Sequence, residues 1–167
     1  MNPMLQKLID QEFMTENEAN YLADAIKDGD TIIISGHRGH GILPLLASLG
    51  ATAKEFYSVK PVRNIDTDLQ DENADVFLIG DLKDVNYSEA LVKAFSIKDK
   101  SVITIKDAEH SFSVMKVLIY VFKATGDNSK IYQLAECTKV DDIKKLKKLV
   151  KVTLNEKGRP VRTTFEG

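Results

Sequence analysis

The sequence predicts an α/β fold in which a mainly parallel sheet carries helices on both faces. Three apolar runs favour this class: residues 31–34, 74–81 and 101–105. Each run has the length of a strand and lacks the alternation of a sheet with one solvated face. Segments with helical periodicity separate the runs, so strands and helices alternate along the chain.

Composition places this chain among ordinary soluble globular proteins. It has 167 residues, of which 43% are hydrophobic and 29% charged, and its formal net charge is −2. One domain with a sizeable core is therefore expected, without a global bias toward nucleic acid. Cys137 is the single cysteine, which excludes an internal disulfide. The sequence shows no apolar run of membrane length and no leader pattern, so we expect a cytoplasmic protein without membrane insertion.

The first 28 residues predict two amphipathic helices. Apolar residues recur at helical spacing, and the pattern breaks near Phe13 and Met14. Thr15 is expected to cap the second helix ahead of Glu18. Asp28-Gly29-Asp30 then ends that helix and leads into the first core strand.

The central part of the chain predicts the remaining elements of an α/β core. A helix over residues 43–49 follows the first strand, and a short strand over 55–59 ends before Pro61. Acidic residues 66–72 indicate a turn or the start of a surface helix. The last elements predicted here are helices over 88–95 and 111–125, the second ending at Gly126, and a strand over 131–135.

The C-terminal part predicts a basic helix followed by a hairpin. In residues 141–151 the apolar side chains fall at helical spacing with lysines between them, which is typical of a solvated helix face. Residues 149–165 alternate around a turn at 155–158 and predict a hairpin. With Arg159 and Arg162, the lysines leave open a basic patch for nucleic acid or an acidic partner, which we do not favour. The single domain 1–167 thus divides into a helical lead-in (1–29), a core (30–135), and a basic helix with hairpin (136–167).

The loop after the first strand has the outline of a phosphate-binding loop. Gly36 and Gly41 have the spacing of G-x-x-x-x-G-K-[ST], and Gly39 lies between them. In that motif the Lys reaches the β and γ phosphates, and the hydroxyl residue holds Mg²⁺. Here Ile42 stands at the Lys position and Leu43 at the hydroxyl position, so the loop lacks the side chains that perform the chemistry.

Residues 5–118 resemble the core of the traffic ATPases of type II and type IV secretion and type IV pilus assembly. The order of a short helix, a second helix ending at Gly29 and the strand 31–36 is similar to theirs. Their loop, approximately S-G-G-T-G-S-G-K-T-T-L-L, can be laid on residues 35–46 without a gap, and their Walker B segment is similar to 76–81. The resemblance implies one RecA-like, three-layer P-loop domain, with ATP and Mg²⁺ as cofactors and a hexamer whose sites lie at subunit boundaries.

Departures from that family concentrate at the positions of its chemistry. Five positions differ: the Lys, the two hydroxyl residues that follow it, the Walker B Glu and a later His. In addition, residues 57–62 stand where the family has an acidic box. The replacing residues are Ile42, Leu43, Pro44, Asp81 and Lys106. Phosphoryl transfer depends on positioning and on charge stabilisation, so we do not expect hydrolysis at a useful rate.

Binding of an anion is a separate expectation. Backbone N–H groups before a helix N-terminus attract phosphate even without the Lys. The side chains of His37, Arg38 and His40 add positive charge, or are solvated loop residues; both interpretations stay open. Asp81 is a candidate Mg²⁺ ligand or a plain helix cap. The candidate phosphate-binding residues are Gly36, His37, Arg38, Gly39, His40, Gly41, Ile42 and Leu43.

Two other sites are not favoured. The glycine order G-x-x-G-x-G is the reverse of the dinucleotide fingerprint, and no acid follows the next strand to hold a ribose. His37, His40 and His110 have no Cys or carboxylate pair at ligand spacing, so solvated histidines are a better interpretation than a metal site. Cys137 has no basic activator in sequence and is expected to be structural.

Two functional hypotheses follow. The first is a binding, assembly or regulatory module that keeps the ATPase-like fold, has lost hydrolysis, and acts through a protein partner, an active homologue or other copies of itself. The second is a weak or atypical NTPase, in which Arg38 or a neighbouring subunit supplies the missing charge and Asp81 holds Mg²⁺.

Overall fold

A computed structural model describes all residues from Met1 to Gly167. It contains one seven-stranded sheet in the order β2-β3-β4-β1-β5-β6-β7, in which the first five strands are parallel and the last two antiparallel. The strands are β1 (Thr31–Gly36), β2 (Val59–Pro61), β3 (Val76–Ile79), β4 (Ser101–Asp107), β5 (Tyr132–Val140), β6 (Ile143–Leu154) and β7 (Pro160–Thr164).

Six helices cover the two faces of this sheet. They are α1 (Pro3–Asp10), α2 (Glu16–Lys27), α3 (Ile42–Lys54), α4 (Ile65–Asp68), α5 (Tyr87–Phe95) and α6 (Val114–Thr125). Helices α1, α2 and α3 share one apolar cluster with one face of the sheet. Helices α4, α5 and α6 share a second cluster with the other face. The three layers explain why the central strands are apolar on both faces, as the sequence predicted.

The N-terminal helices form where the sequence predicted them. Thr15 caps α2 in a capping box: its side chain accepts from the N–H of Glu18, and the Glu18 side chain accepts from the N–H of Thr15. Phe13 and Met14, at the break between the helices, are buried in the core. The break therefore lets the chain turn while both of its apolar residues stay inside.

The second strand lies later in the sequence than predicted. Residues 55–57 complete the end of α3 and a turn, and β2 occupies Val59–Pro61. Tyr57 N–H donates to the carbonyl of Ala53, which extends the hydrogen bonding of the helix. The aromatic residues at 56 and 57 suggested a strand because they favour sheets in general, but here the helical hydrogen bonds continue through them.

The predicted basic helix at residues 141–151 is wrong. Asp141 and Asp142 both have positive φ (49° and 63°) and form a two-residue hairpin turn, after which β6 pairs antiparallel with β5. The register shifts opposite Glu136 and Cys137, so that Lys147 is the extra residue of a β-bulge. Beyond β6, the predicted terminal hairpin is confirmed, since β6 and β7 pair around residues 155–159.

The helices of this structure are short or amphipathic. None of the six combines the length and the apolar character that a membrane-spanning helix needs.

Candidate functional site

The loop between β1 and α3 lies at the carboxyl edge of the sheet. β1 is central, between β4 and β5, so the loop emerges beside the ends of two neighbouring strands. Ligands of open α/β sheets bind at this edge. The structure therefore places the sequence-predicted loop, residues 36–43, where this fold class holds its ligands.

Close packing explains the two motif glycines. Gly36 has φ +151°, and a Cβ there would lie 2.9 Å from the carbonyl oxygen of Cys137 on β5. Gly41 has φ +94°, and a Cβ there would lie 2.7 Å from the ring of Phe13. Gly39 also has a left-handed conformation, with φ +83°, but open space surrounds it. The spacing of Gly36 and Gly41 is thus required by the fold itself, whether or not phosphate binds.

The N-terminus of α3 leaves backbone donors free. Gly41 is the N-cap residue and provides no side-chain cap. The N–H groups of Ile42 and Leu43 have no acceptor, and Pro44 has no N–H. α3 begins at this edge, so the positive end of the dipole of this 13-residue helix lies beside the loop. Free N–H groups at a helix N-terminus are donors of the kind that bind anions in other proteins.

The two replaced motif positions have opposite environments. Ile42 is 1% exposed and belongs to the apolar cluster under α3, where its Cγ2 lies 3.3 Å from the position of a Cβ on Gly36. Leu43 is 47% exposed. The residue at the Lys position is therefore part of the core, while the residue at the hydroxyl position contacts solvent.

Arg38 connects the loop to the ends of two other strands. Its Nε donates to Oδ2 of Asp107 at 2.5 Å, and its Nη2 donates to Oδ2 of Asp81 at 2.6 Å. Asp107 is the last residue of β4, and Asp81 follows β3. We call Arg38, Asp81 and Asp107 the arginine bridge. A guanidinium held by two carboxylates is a strong, geometrically specific pairing.

Asp107 is the most buried member of the arginine bridge. Its side chain is 2% exposed and also accepts from the backbone N–H of Glu109 at 3.0 Å. That backbone hydrogen bond and the Arg38 guanidinium hold the pKa of Asp107 below its usual range, against the opposing effect of burial. The two carboxylates in turn raise the pKa of Arg38 above its ordinary value, Asp81 contributing more. Asp107 is thus ionised and paired throughout the neutral range.

A buried hydroxyl joins the strand ends beneath the arginine bridge. Tyr87 Oη donates to the carbonyl of Gly80 or of Ile105, both at 3.0 Å, and lies 2.8 Å from Oγ1 of Thr104. Burial raises the pKa of Tyr87 to about 12, so the hydroxyl stays a donor. This network ties the ends of β3 and β4 together and holds Asp81 and Asp107 in place.

The histidines do not converge on one point. His37 and His40 are edge to face with each other, with ring centroids 5.3 Å apart. His110 instead stacks on Tyr87 at 4.5 Å, and its Nδ1 is buried without a hydrogen-bond partner. The structure holds no group of three His, Cys, Asp or Glu side chains arranged to bind a metal ion. Cys137 is buried, and burial raises its pKa to about 12.

Sequence reasoning found Arg38 and Asp81 but missed Asp107. The structure brings the first two together as a mutual ion pair. Asp107 ends a buried strand, as Asp81 nearly does, and β4 is the direct neighbour of β1. The sequence contained one signal for Asp107: an acidic residue at the C-terminal end of a strand that neighbours β1 and its loop.

Comparisons with known proteins bear on the fold. No protein-family model matches the chain, and no curated protein matches it either. Among solved structures, the Legionella pneumophila ATPase DotB is similar, with a TM-score of 0.51 and 15% sequence identity over 95% of this chain. The alignment covers 53% of that ATPase, so this chain spans about half its length.

This structural likeness confirms the predicted fold class. The mostly parallel sheet flanked by helices, with a glycine loop between β1 and α3, is a P-loop NTPase-like fold. At 15% identity the likeness speaks for the fold alone, because one fold hosts many functions.

Proposed function

We propose that this chain is a secretion-ATPase-like P-loop protein that has lost hydrolysis and acts as a binding, assembly or regulatory module for another protein. The observation that carries the proposal is the arginine bridge. The one arginine of the loop is engaged by Asp81 and Asp107, while Ile42 fills the Lys position from inside the core.

The electrostatics of the loop favour this role over catalysis. Phosphoryl transfer needs cations that neutralise charge developing on the phosphate oxygens. Here two carboxylates and one guanidinium leave the arginine bridge with a net negative charge, which repels a triphosphate. A phosphate at Arg38 would share the guanidinium with Asp81 and Asp107, whose two negative charges already exceed its single positive charge. Mg²⁺ at Asp81 would likewise lie beside the guanidinium of Arg38, a like charge at the same carboxylate.

Partner binding is supported by what the fold keeps. The core, the capping box and the two sterically required glycines maintain the ATPase-like architecture without the catalytic side chains. The partner would be another protein, such as an active homologue, and resemblance to hexameric ATPases supports self-association as part of the same role. Light scattering of the purified chain over a concentration series measures that self-association: a constant monomer mass would contradict it.

A second candidate is weak nucleotide binding, with or without slow turnover. The free N–H groups of Ile42 and Leu43 at the uncapped N-terminus of α3 favour it, because such groups attract phosphate. In this candidate Arg38 would turn from the carboxylates to the phosphates, and Asp81 would hold Mg²⁺.

Phosphate release from Mg²⁺-ATP distinguishes the two candidates. We would compare the wild-type chain with Asp81→Asn, Arg38→Ala and a control, Arg63→Ala, whose side chain is exposed outside the site. The favoured proposal expects the same background rate from all four proteins. A wild-type rate that falls in Asp81→Asn and Arg38→Ala, but not in Arg63→Ala, would establish the NTPase instead.

A further inference from the structure

Strand β7 is an exposed edge of the sheet. It pairs with β6 on one side, and residues 161–164 are all exposed. Val161, an apolar residue, is 48% exposed. An edge of this kind presents unpaired backbone groups to which another strand can add.

The hydrogen-bond pattern identifies the free backbone groups. The N–H of Asn155 donates to the carbonyl oxygen of Arg159 at 3.0 Å, and the N–H of Phe165 donates to the carbonyl oxygen of Leu149 at 2.9 Å. In an antiparallel pair, every second residue of a strand forms backbone hydrogen bonds with its neighbour. Between Arg159 and Phe165, the residues of β7 that bond to β6 are therefore Val161 and Thr163. The N–H and C=O groups of Arg162 and Thr164 therefore point away from the sheet, and their N–H groups have no acceptor.

Charge is concentrated beside this edge. Residues 143–167 carry eight basic side chains and two acidic ones, Glu156 and Glu166, whereas the whole chain has a formal net charge of −2. The bulge at Lys147 places Lys145, Lys147 and Lys148 on the face opposite to the buried Leu146 and Leu149. Cross-strand pairing with Val152 puts Arg162 on that same face of the sheet. Lys148 is paired with Glu136 at 3.9 Å. Lys145, Lys147 and Arg162 remain on this face without a salt-bridge partner, and their positive charge suits an acidic ligand.

The free backbone N–H and C=O groups of β7 indicate which class of ligand can bind there. The edge alternates N–H donors with C=O acceptors, and an extended peptide satisfies both. Phosphate oxygens only accept, so the sugar–phosphate backbone of DNA would leave the C=O groups unpaired, and the hairpin exposes no aromatic side chain for base stacking. Edge-to-edge pairing with a second copy would bring two strongly basic hairpins together, which is repulsive.

The geometry points to β7 as a docking site for an extended acidic segment of another protein, which adds as an eighth strand. The outward backbone groups of Arg162 and Thr164 hold the segment, and the basic side chains of β6 and β7 select its charge. This inference rests on the binding role proposed above, for which it names the surface and the class of partner. It makes no use of the loop, so nucleotide assays and peptide assays can fail independently.

An acidic peptide tests the site directly. The probe is a blocked peptide of alternating Glu and Thr, about ten residues long, compared with a Lys and Thr peptide and a single-stranded DNA oligonucleotide. Binding to the full chain is followed by fluorescence anisotropy, and the amide signals of Arg162 and Thr164 are followed by NMR. We expect saturable binding of the acidic peptide alone, with both amides shifted and protected from exchange.

Variants separate strand addition from charge attraction. Thr164→Pro removes an outward N–H without breaking a bond to β6, and should weaken peptide binding roughly tenfold; Thr164→Val keeps the N–H and should bind like the wild type. Arg162→Gln keeps the backbone group and should weaken binding with a smaller dependence on salt, whereas Arg63→Gln should change nothing. Thermal unfolding of each variant checks that it is folded.

Three results would overturn the inference. The first is no saturable binding of the acidic peptide at about 1 mM. The second is an equal effect of Thr164→Pro and Thr164→Val, which would mean that the backbone groups are not used. The third is tighter binding of the DNA than of the peptide, which would make the hairpin a nucleic-acid surface. Peptide binding that fails while ATP turnover stays at background would reject the site and leave the non-hydrolysing role standing.

Discussion

Restoring the motif lysine should damage the fold before it restores any chemistry. Ile42 is 1% exposed within the apolar cluster that α3 shares with β1. Replacing it by Lys forfeits the burial of an isoleucine side chain, worth about 1.5–3 kcal/mol, and adds the cost of an ammonium group in an apolar site. We expect Ile42→Lys to lower the free energy of unfolding by about 3–4 kcal/mol, a large part of the total for a domain of this size.

Urea denaturation at constant pH measures this loss. Leu43→Lys is the matched control, because it adds the same side chain one residue later at a position 47% exposed, and it should change the free energy of unfolding by less than about 0.5 kcal/mol. A lysine forced inside has a lowered pKa, so the folded state binds fewer protons than the unfolded state. The loss in free energy of unfolding that Ile42→Lys causes should therefore become smaller as pH rises toward the ordinary lysine pKa of about 10.4.

Equal stability of Ile42→Lys and Leu43→Lys would refute this reasoning. It would mean that the side chain at position 42 reaches the loop face freely, as the lysine of a working P-loop does. The loop would then be intact in geometry and deficient in one side chain only. ATPase activity gained by Ile42→Lys with Leu43→Thr would point to the same conclusion.

Three further predictions concern the loop and its surroundings. Gly41→Ala should lower the free energy of unfolding in urea by about 3 kcal/mol, because it combines a left-handed φ with a Cβ 2.7 Å from the ring of Phe13. Gly39→Ala should lower it by about 1 kcal/mol, because only its φ is unfavourable there. Equal losses would contradict the packing of Gly41 against Phe13. The lowered pKa of Asp107 means that its stabilising contribution is present above its unfolded pKa and is lost as pH falls through its folded pKa. In Asp107→Asn, the free energy of unfolding should therefore fall less steeply at acidic pH than in the wild type. The same steepness in both proteins would argue against the pairing of Asp107 with Arg38. Cys137, with its pKa raised to about 12, should react with a thiol reagent at pH 8 only after unfolding, and rapid labelling of the native chain would contradict its burial.

The C-terminal strands show how a helical pattern can arise in a sheet. In a regular strand, two buried side chains on one face are two residues apart. Leu146 and Leu149 are three apart because the bulge at Lys147 inserts a residue between them, and with Val150 on the other face the series imitates helical spacing. The bulge depends on pairing with β5, so local periodicity did not reveal it. Asp141 and Asp142, which tolerate positive φ, were the local evidence for a turn.

The parallel core was predictable because its strands are apolar on both faces and are separated by well-marked helices. The capping box of Thr15 and Glu18 is visible in the sequence, and so is the left-handed Gly126 that ends α6. The site was predictable only in outline. The glycine spacing placed the loop, but the burial of Ile42 and the pairing of Arg38 with Asp107, 69 residues away, depend on tertiary packing.

Calorimetric titration of the wild-type chain with Mg²⁺-ATP tests the central claim most directly, with Arg38→Ala titrated in parallel. We predict no saturable heat for the wild type up to millimolar nucleotide and no rise in its melting temperature, because the arginine bridge already occupies Arg38 and Asp81. Saturable binding by the wild type that Arg38→Ala abolishes would contradict the account, since Arg38 would then be a phosphate ligand and the loop a working nucleotide site.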